Sequence, residues 1–223
     1  MIFFDIDFIL FKILDYPISL LELSGTLSGL ACVYLTAREK VSCWPVGIVN
    51  IVFFFILFYQ VRLYSDMILQ VYFLAMSIYG WWKWTHPQTK ALTNPKNELK
   101  ITNLTKKGWL ITLFITLSST FLLGYFMGRI HLIFPTLFKQ AATFPYPDAF
   151  TTVLSVIATV VMAQKKKDCW IMWVLVDIAA TIIYFMKGIN LVAMEYIVFG
   201  IIAASGYFTW HKTQKMYFAD EAA

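Results

Sequence analysis

Apolar runs recur along this chain, separated by short polar or basic breaks. Seven of them are long enough to cross a bilayer: residues 20–37, 42–60, 66–84, 107–128, 148–164, 168–187 and 189–210. The breaks are Arg38-Glu39-Lys40, Val61-Arg62, the polar stretch His86 to Lys106, the Pro-containing stretch Ile130 to Pro147, Lys165-Lys166-Lys167 and Gly188. Met1 to Leu14 is apolar too, but it lacks a basic start and carries Asp5 and Asp7, so it reads as an interfacial helix rather than a cleaved signal peptide.

Composition agrees with a membrane as the main solvent. The 223 residues are 60% hydrophobic and only 14% charged, and seven crossings leave no length for a separate soluble domain. The net charge of +5 does not point to nucleic acid, because the Lys and Arg residues sit in short runs between apolar stretches. They read as topology signals. Of the 18, 13 fall on one side of the seven spans and 5 on the other, which predicts an outside N-terminus and a cytoplasmic C-terminus.

Comparing the chain with itself brings out a repeat at a constant offset of 126 residues. Cys43-Trp44 falls on Cys169-Trp170, Phe58-Tyr59 on Tyr184-Phe185, Phe73 on Phe199, and Gly80-Trp81-x-x-Trp84 on Gly206-Tyr207-x-x-Trp210. A three-helix unit begins and ends on opposite sides of the membrane, so a second copy in the same orientation needs one extra crossing, which 107–128 supplies. The expected fold class is an all-α membrane protein whose seven transmembrane helices are arranged 3+1+3 as two parallel repeats, as in the SWEET sugar transporters. In chain order this gives an N-terminal interfacial segment (1–19), a first repeat (20–84), a linker (85–147) holding the connecting helix 107–128, a second repeat (148–210) and a cytoplasmic tail (211–223).

Helical geometry selects candidate residues. At 100° per residue, Trp173, Asp177 and Tyr184 lie within about 40° of one another and form an aromatic and acidic stripe. Asp177 falls near mid-span, where an ionisable group points to a functional cavity; the competing reading is a helix-to-helix hydrogen bond. Glu195 lies about two turns inside the outer end of its span, where substrate contact competes with snorkelling to the interface. Asn50, at mid-depth on one face with Gly47 and Phe54, suits either a substrate contact or a lock between helices. Gln70 is the polar contact expected from a stripe that also holds Asp66, Ser77, Trp81 and Trp84. Trp81, Trp82 and Trp84 read mainly as an aromatic belt, and Trp44 and Trp170 as further belt candidates.

No His/Glu or Cys/His grouping has ligand spacing, and Cys32, Cys43 and Cys169 show no CxxC pattern. No metal, cofactor, disulfide or catalytic centre is expected, and a membrane-embedded enzyme is a remote alternative resting on Asp177 and Glu195 alone. A retinal protein would need a lysine in the middle of its last helix, where none stands.

Three motifs, Trp44-Pro-x-Gly47-x-x-Asn50, Leu63-Tyr64-x-Asp66-x-x-Leu69-Gln70 and Tyr79-Gly80-Trp81-Trp82-x-Trp84, closely resemble the first-repeat signature of the nicotinamide riboside (Pnu-type) transporter family. The second-repeat pattern is similar at Trp170-x-x-Trp173-x-x-x-Asp177, Tyr184, Glu195-Tyr196 and Gly206-Tyr207-x-x-Trp210. The resemblance implies a SWEET-like fold in the bacterial inner membrane, and facilitated diffusion of a B-type vitamin precursor that cytoplasmic kinases trap by phosphorylation. It adds Tyr196 to the candidate site. Family members divide among nicotinamide riboside, thiamine and riboflavin. A positively charged pyridinium ring favours an aromatic face with a carboxylate nearby, and a carboxamide and ribose hydroxyls suit Asn, Gln, Asp and Glu. Nicotinamide riboside is therefore the expected substrate, with thiamine or riboflavin as alternatives. The lipid bilayer is the other partner, and there is room for a homo-oligomer, a trimer as the first guess.

Overall fold

The computed structural model describes residues 5, 8–13, 16–60, 64–94, 96–136, 141–188 and 190–222. It contains an N-terminal strand pair, β1 (Ile9–Ile13) and β2 (Tyr16–Ser19), followed by seven helices: α1 (Leu20–Ala37), α2 (Cys43–Gln60), α3 (Tyr64–Thr85), α4 (Lys106–Ile133), α5 (Pro145–Ala163), α6 (Cys169–Met186) and α7 (Asn190–Ala222). Each helix overlaps one of the expected spans. Six of them are long and apolar enough to cross a membrane. The remaining one, α3, has 22 residues, ample for a crossing, but carries the polar residues Asp66, Gln70, Ser77 and Lys83. By fold the protein is an all-helical, multi-pass membrane protein.

The chain divides into two compact units, 1–100 and 101–223. In the first, β1 and β2 form an antiparallel hairpin that leads into α1. An interfacial helix was expected here. Pro17 disfavours helix in the residue before it, and the β-branched and aromatic residues Ile9, Phe11 and Ile13 suit a strand. Ser19 caps α1, its Oγ accepting the Glu22 amide at 3.1 Å in an S-x-x-E start. From there α1 packs on α2 and α2 on α3. The polar stretch that follows is folded rather than open: Asn94 Oδ1 accepts from the amides of Lys96 (2.9 Å) and Glu98 (3.1 Å), and the Leu99 amide donates to the Trp84 carbonyl at 2.9 Å.

In the second unit α4 packs on α5, α5 on α6 and α6 on α7. Thr105 caps α4, accepting from the Gly108 amide at 3.0 Å. Outward residues of α4, including Leu110, Phe114, Leu117, Phe121 and Leu122, are apolar and exposed, as a lipid-facing helix requires. Its opposite face is tight: a Cβ on Gly124 would lie 2.4 Å from the Tyr146 ring of α5. The last helix continues through residues 211–222, which had been expected to form a tail.

Asp168 ties the start of this unit together. Its carboxylate accepts the Leu104 amide at 2.6 Å and the Trp109 indole N–H at 3.2 Å. Thr102 exchanges backbone hydrogen bonds with Lys165 and Lys167, each at 3.1 Å. Gln214 of α7 donates to the Ile101 carbonyl (3.3 Å) and to Asn103 Oδ1 (3.1 Å). The lysine triplet is accordingly more than a run of surface charge. Lys165 and Lys167 are buried, and Lys167 Nζ lies 3.0 Å from His211 Nδ1.

The offset of 126 residues recurs in the backbone. Helices α2 and α6, Cys43–Gln60 and Cys169–Met186, match end for end at that offset, and α3 and α7 begin at corresponding positions. The turn before each helix pair follows the same pattern: Glu39 and Lys165 both have positive φ, 58° and 54°. The amides of Lys40 and Lys166 bond back to the carbonyls of Leu35 and Val161, at 2.9 and 3.2 Å. Each repeat also holds a perpendicular indole pair, Trp44 with Trp84 at 5.2 Å and Trp170 with Trp210 at 5.6 Å between ring centroids. All four indoles are core residues. The belt reading of Trp84, Trp44 and Trp170 is thus corrected, while Trp81 and Trp82 are exposed as a belt requires. Glycine makes the difference. A Cβ on Gly80 would lie 2.2 Å from the Trp44 ring and one on Gly206 2.7 Å from that of Trp170, so each glycine opens the slot that its indole fills.

Candidate substrate site

The sequence-selected residues fall in both units. In the first, Asn50 is half-buried on α2, and its Nδ2 donates to the Gly25 carbonyl of α1 at 2.7 Å. The approach is close, since a Cβ on Gly29 would lie 2.9 Å from the same nitrogen. Small residues on α1 let the helices near enough for this bond, and Asn50 acts as an interhelical lock. Gln70 is half-buried on α3. The Asp66 side chain lies outside the described residues.

In the second unit Trp173, Asp177 and Tyr184 all lie on α6. Asp177 is buried, with only 5% of its surface exposed, although it was placed by periodicity alone. Its backbone carbonyl accepts from Thr181 Oγ1 at 2.7 Å, and its side chain faces α7 at Gly200, whose Cβ would sit 3.4 Å from that of Asp177. Among the described residues no cation is paired with the carboxylate. Trp173, one turn before it, is half-buried. Two turns further on, Tyr184 stacks on Tyr196 of α7, with centroids 5.4 Å apart and planes at 15°. Tyr196 also meets Phe199 edge-on at 6.3 Å. Glu195 is half-buried beside Tyr196.

The structure therefore joins Tyr184 to Tyr196, places Asp177 on the α6 face that packs against α7, and commits Asn50 to the α1 backbone. It also reveals neighbours that sequence reasoning passed over. Lys187 directly follows α6 and forms an ion pair with Asp148 of α5 at 3.1 Å, lying near the rings of Tyr184 and Phe144. A lysine at a span end and an aspartate in a helix first turn are ordinary features taken singly, and neither signals the other. Among the described residues no group of three or more His, Cys, Asp or Glu side chains could hold a metal ion.

Long apolar helices, six of them able by length and composition to cross a membrane, define an integral membrane protein. Known proteins narrow the class. A family model described as "Nicotinamide mononucleotide transporter" matches residues 19–212. The nicotinamide riboside transporter PnuC of Escherichia coli K12 is 30% identical over 212 residues, covering 87% of this chain and 86% of the relative. The riboflavin/roseoflavin transporter RibM of Streptomyces davaonensis is 24% identical over 203 residues, covering 90% and 88%. The crystal structure of the vitamin B3 transporter PnuC superposes with a TM-score of 0.65 at 23% identity, covering 88% of this chain and 82% of that one. The chain belongs to the PnuC family of nicotinamide riboside transporters.

Proposed function

We propose that this protein imports nicotinamide riboside by facilitated diffusion, with cytoplasmic phosphorylation of the riboside keeping the gradient inward. The observation that carries the reading is the α6 stripe: Asp177 buried without a cationic partner among the described residues, Trp173 one turn away, and Tyr184 stacked on Tyr196. A cationic aromatic ligand supplies the counter-charge that this face lacks and the ring that its aromatics accept. In this account the pyridinium meets the aromatic faces of this stripe, Trp173 at one end and Tyr184 with Tyr196 at the other, while Asp177 and Glu195 take the ribose hydroxyls and offset the positive charge. In the first unit, Gln70 and the Oδ1 of Asn50 are the amide groups suited to a carboxamide, the Asn50 nitrogen being held by α1. The names of the Escherichia coli and other PnuC relatives agree with this substrate. A mononucleotide, by contrast, would bring a phosphate dianion to a site whose buried ionisable group is a carboxylate, and like charges disfavour one another there.

The rest of the reading concerns architecture. The duplicated turn, indole pair and helix bounds support two parallel three-helix repeats with α4 as the connecting crossing. Seven crossings with the basic side in the cytoplasm put the N-terminus outside, in the bacterial inner membrane. The relatives are named as transporters, and we infer transport rather than catalysis. A trimer is the assembly we would look for first.

A second reading follows from the name of the Streptomyces relative, that of a riboflavin carrier on the same fold; thiamine, also cationic and aromatic, is the other alternative. Titration calorimetry on the detergent-purified protein separates them, with nicotinamide riboside, thiamine, riboflavin and nicotinamide mononucleotide tested side by side. Saturable binding of the riboside alone is expected. Binding of riboflavin or thiamine in its place would keep the fold and overturn the substrate.

A further inference from the structure

One charge beside the α6 stripe has no part in the substrate contacts proposed above. Lys187 stands at the end of α6, and its Nζ donates to both carboxylate oxygens of Asp148 at 3.1 Å. The same ammonium lies 5.6 Å from the centroid of Tyr184 and 6.0 Å from that of Phe144. Tyr184 stacks on Tyr196, which meets Phe199 edge-on, so a column of rings ends in a cation supplied by the protein itself. An ammonium within about 6 Å of a ring centroid is held by the same quadrupole that would attract a pyridinium.

We propose that Lys187 is a charge-selecting residue: it holds the cation seat at the end of the Tyr184–Tyr196 stack, and Asp148 sets how much of its charge an incoming aromatic cation meets. This rests on the reading of the protein as a carrier of a pyridinium riboside. Two cations drawn to one ring repel each other, and the paired carboxylate offsets that repulsion. The side chains of Lys187 and Asp148 are 26% and 46% exposed, so water screens the interaction and its effect is moderate. The geometry gives the two partners opposite signs. Removing the Lys187 charge favours a cationic ligand, whereas removing the Asp148 charge leaves the ammonium uncompensated and disfavours it. A ligand of the same shape without the charge is indifferent to both changes.

The probes are nicotinamide riboside and its reduced dihydropyridine form, which keeps the ribose and carboxamide and loses the ring charge. Their Kd values are measured on the full-length protein in detergent. Lys187→Gln is expected to bind the charged riboside about fivefold more tightly and Asp148→Asn about fivefold more weakly, with the neutral form within about twofold of wild type in both. If one variant does not fold, the charged-against-neutral comparison in the other still gives the sign. Equal shifts for both ligands would show that the ion pair merely staples α5 to α6, and would overturn the inference while leaving the riboside reading in place. A wild-type protein that binds neither ligand, or only the neutral one, would overturn both together.

Discussion

Asp177 shows how far a single residue can be read from sequence. Its depth in an apolar run marked it as a costly placement, about 2.5–3.5 kcal/mol for an acid at a helix centre, and the structure buries it. A helix-to-helix lock was the competing reading, the role that Asn50 fills between α2 and α1. Sequence could not separate the two, because both side chains are polar, mid-span and on faces with small residues. What separates them is which partner lies opposite. Asp177→Asn, nearly equal in size and neutral, should weaken riboside binding about tenfold and leave the thermal midpoint in detergent unchanged. Asn50→Leu should instead lower stability by about 1 kcal/mol through the lost Gly25 bond, read by thermal unfolding. Trp173→Ala, in a well-folded variant, should weaken riboside binding about tenfold or more. Unchanged affinity there would remove Trp173 from the site.

At the scale of elements, helix positions were legible because apolar runs of bilayer length have few other uses, and the α2 and α6 bounds could be transferred from one repeat to the other. The misreadings of the tryptophans and of the lysine triplet share one cause, which is tertiary packing at span ends. Tryptophan at the end of a span suits an interfacial belt and a helix crossing equally well, and only the glycine one turn earlier tells them apart. Gly80 precedes Trp84, and Gly206 precedes Trp210; each glycine faces the indole of the preceding helix. Adding one methyl at Gly206 should cost about 1–3 kcal/mol by overpacking Trp170, and Gly80→Ala should behave alike against Trp44. Lys165 to Lys167 misled in a related way. A triple lysine reads as loop charge, yet the backbone there pairs with residue 102, and Asp168 receives two donors. Asp168→Ala would leave the Leu104 amide and the Trp109 indole without that acceptor. A loss of about 1–3 kcal/mol is expected, with faster hydrogen exchange across residues 102–109.

For the whole molecule, repetition was the most informative signal in the sequence. Scattered identities at one offset coincide with paired turns of positive φ and paired indole crossings in the structure. The nature of the substrate was less legible, because aromatic and acidic side chains suit several vitamins and the name of one relative points to a flavin. The number of crossings turns on α3, whose polar residues keep it out of the more apolar group. Single cysteines introduced near Lys187 and Lys215, probed with an impermeant thiol reagent, should label from opposite sides of intact cells, the second only after the membrane is opened. The central claim is passive carriage of the riboside, and uptake of labelled nicotinamide riboside into proteoliposomes holding the purified protein tests it most directly. Saturable uptake that equilibrates without a proton or sodium gradient, and that unlabelled riboside inside the vesicles accelerates, is the predicted result. Uptake that requires an ion gradient, or folded protein that moves thiamine or riboflavin and leaves the riboside outside, would contradict it.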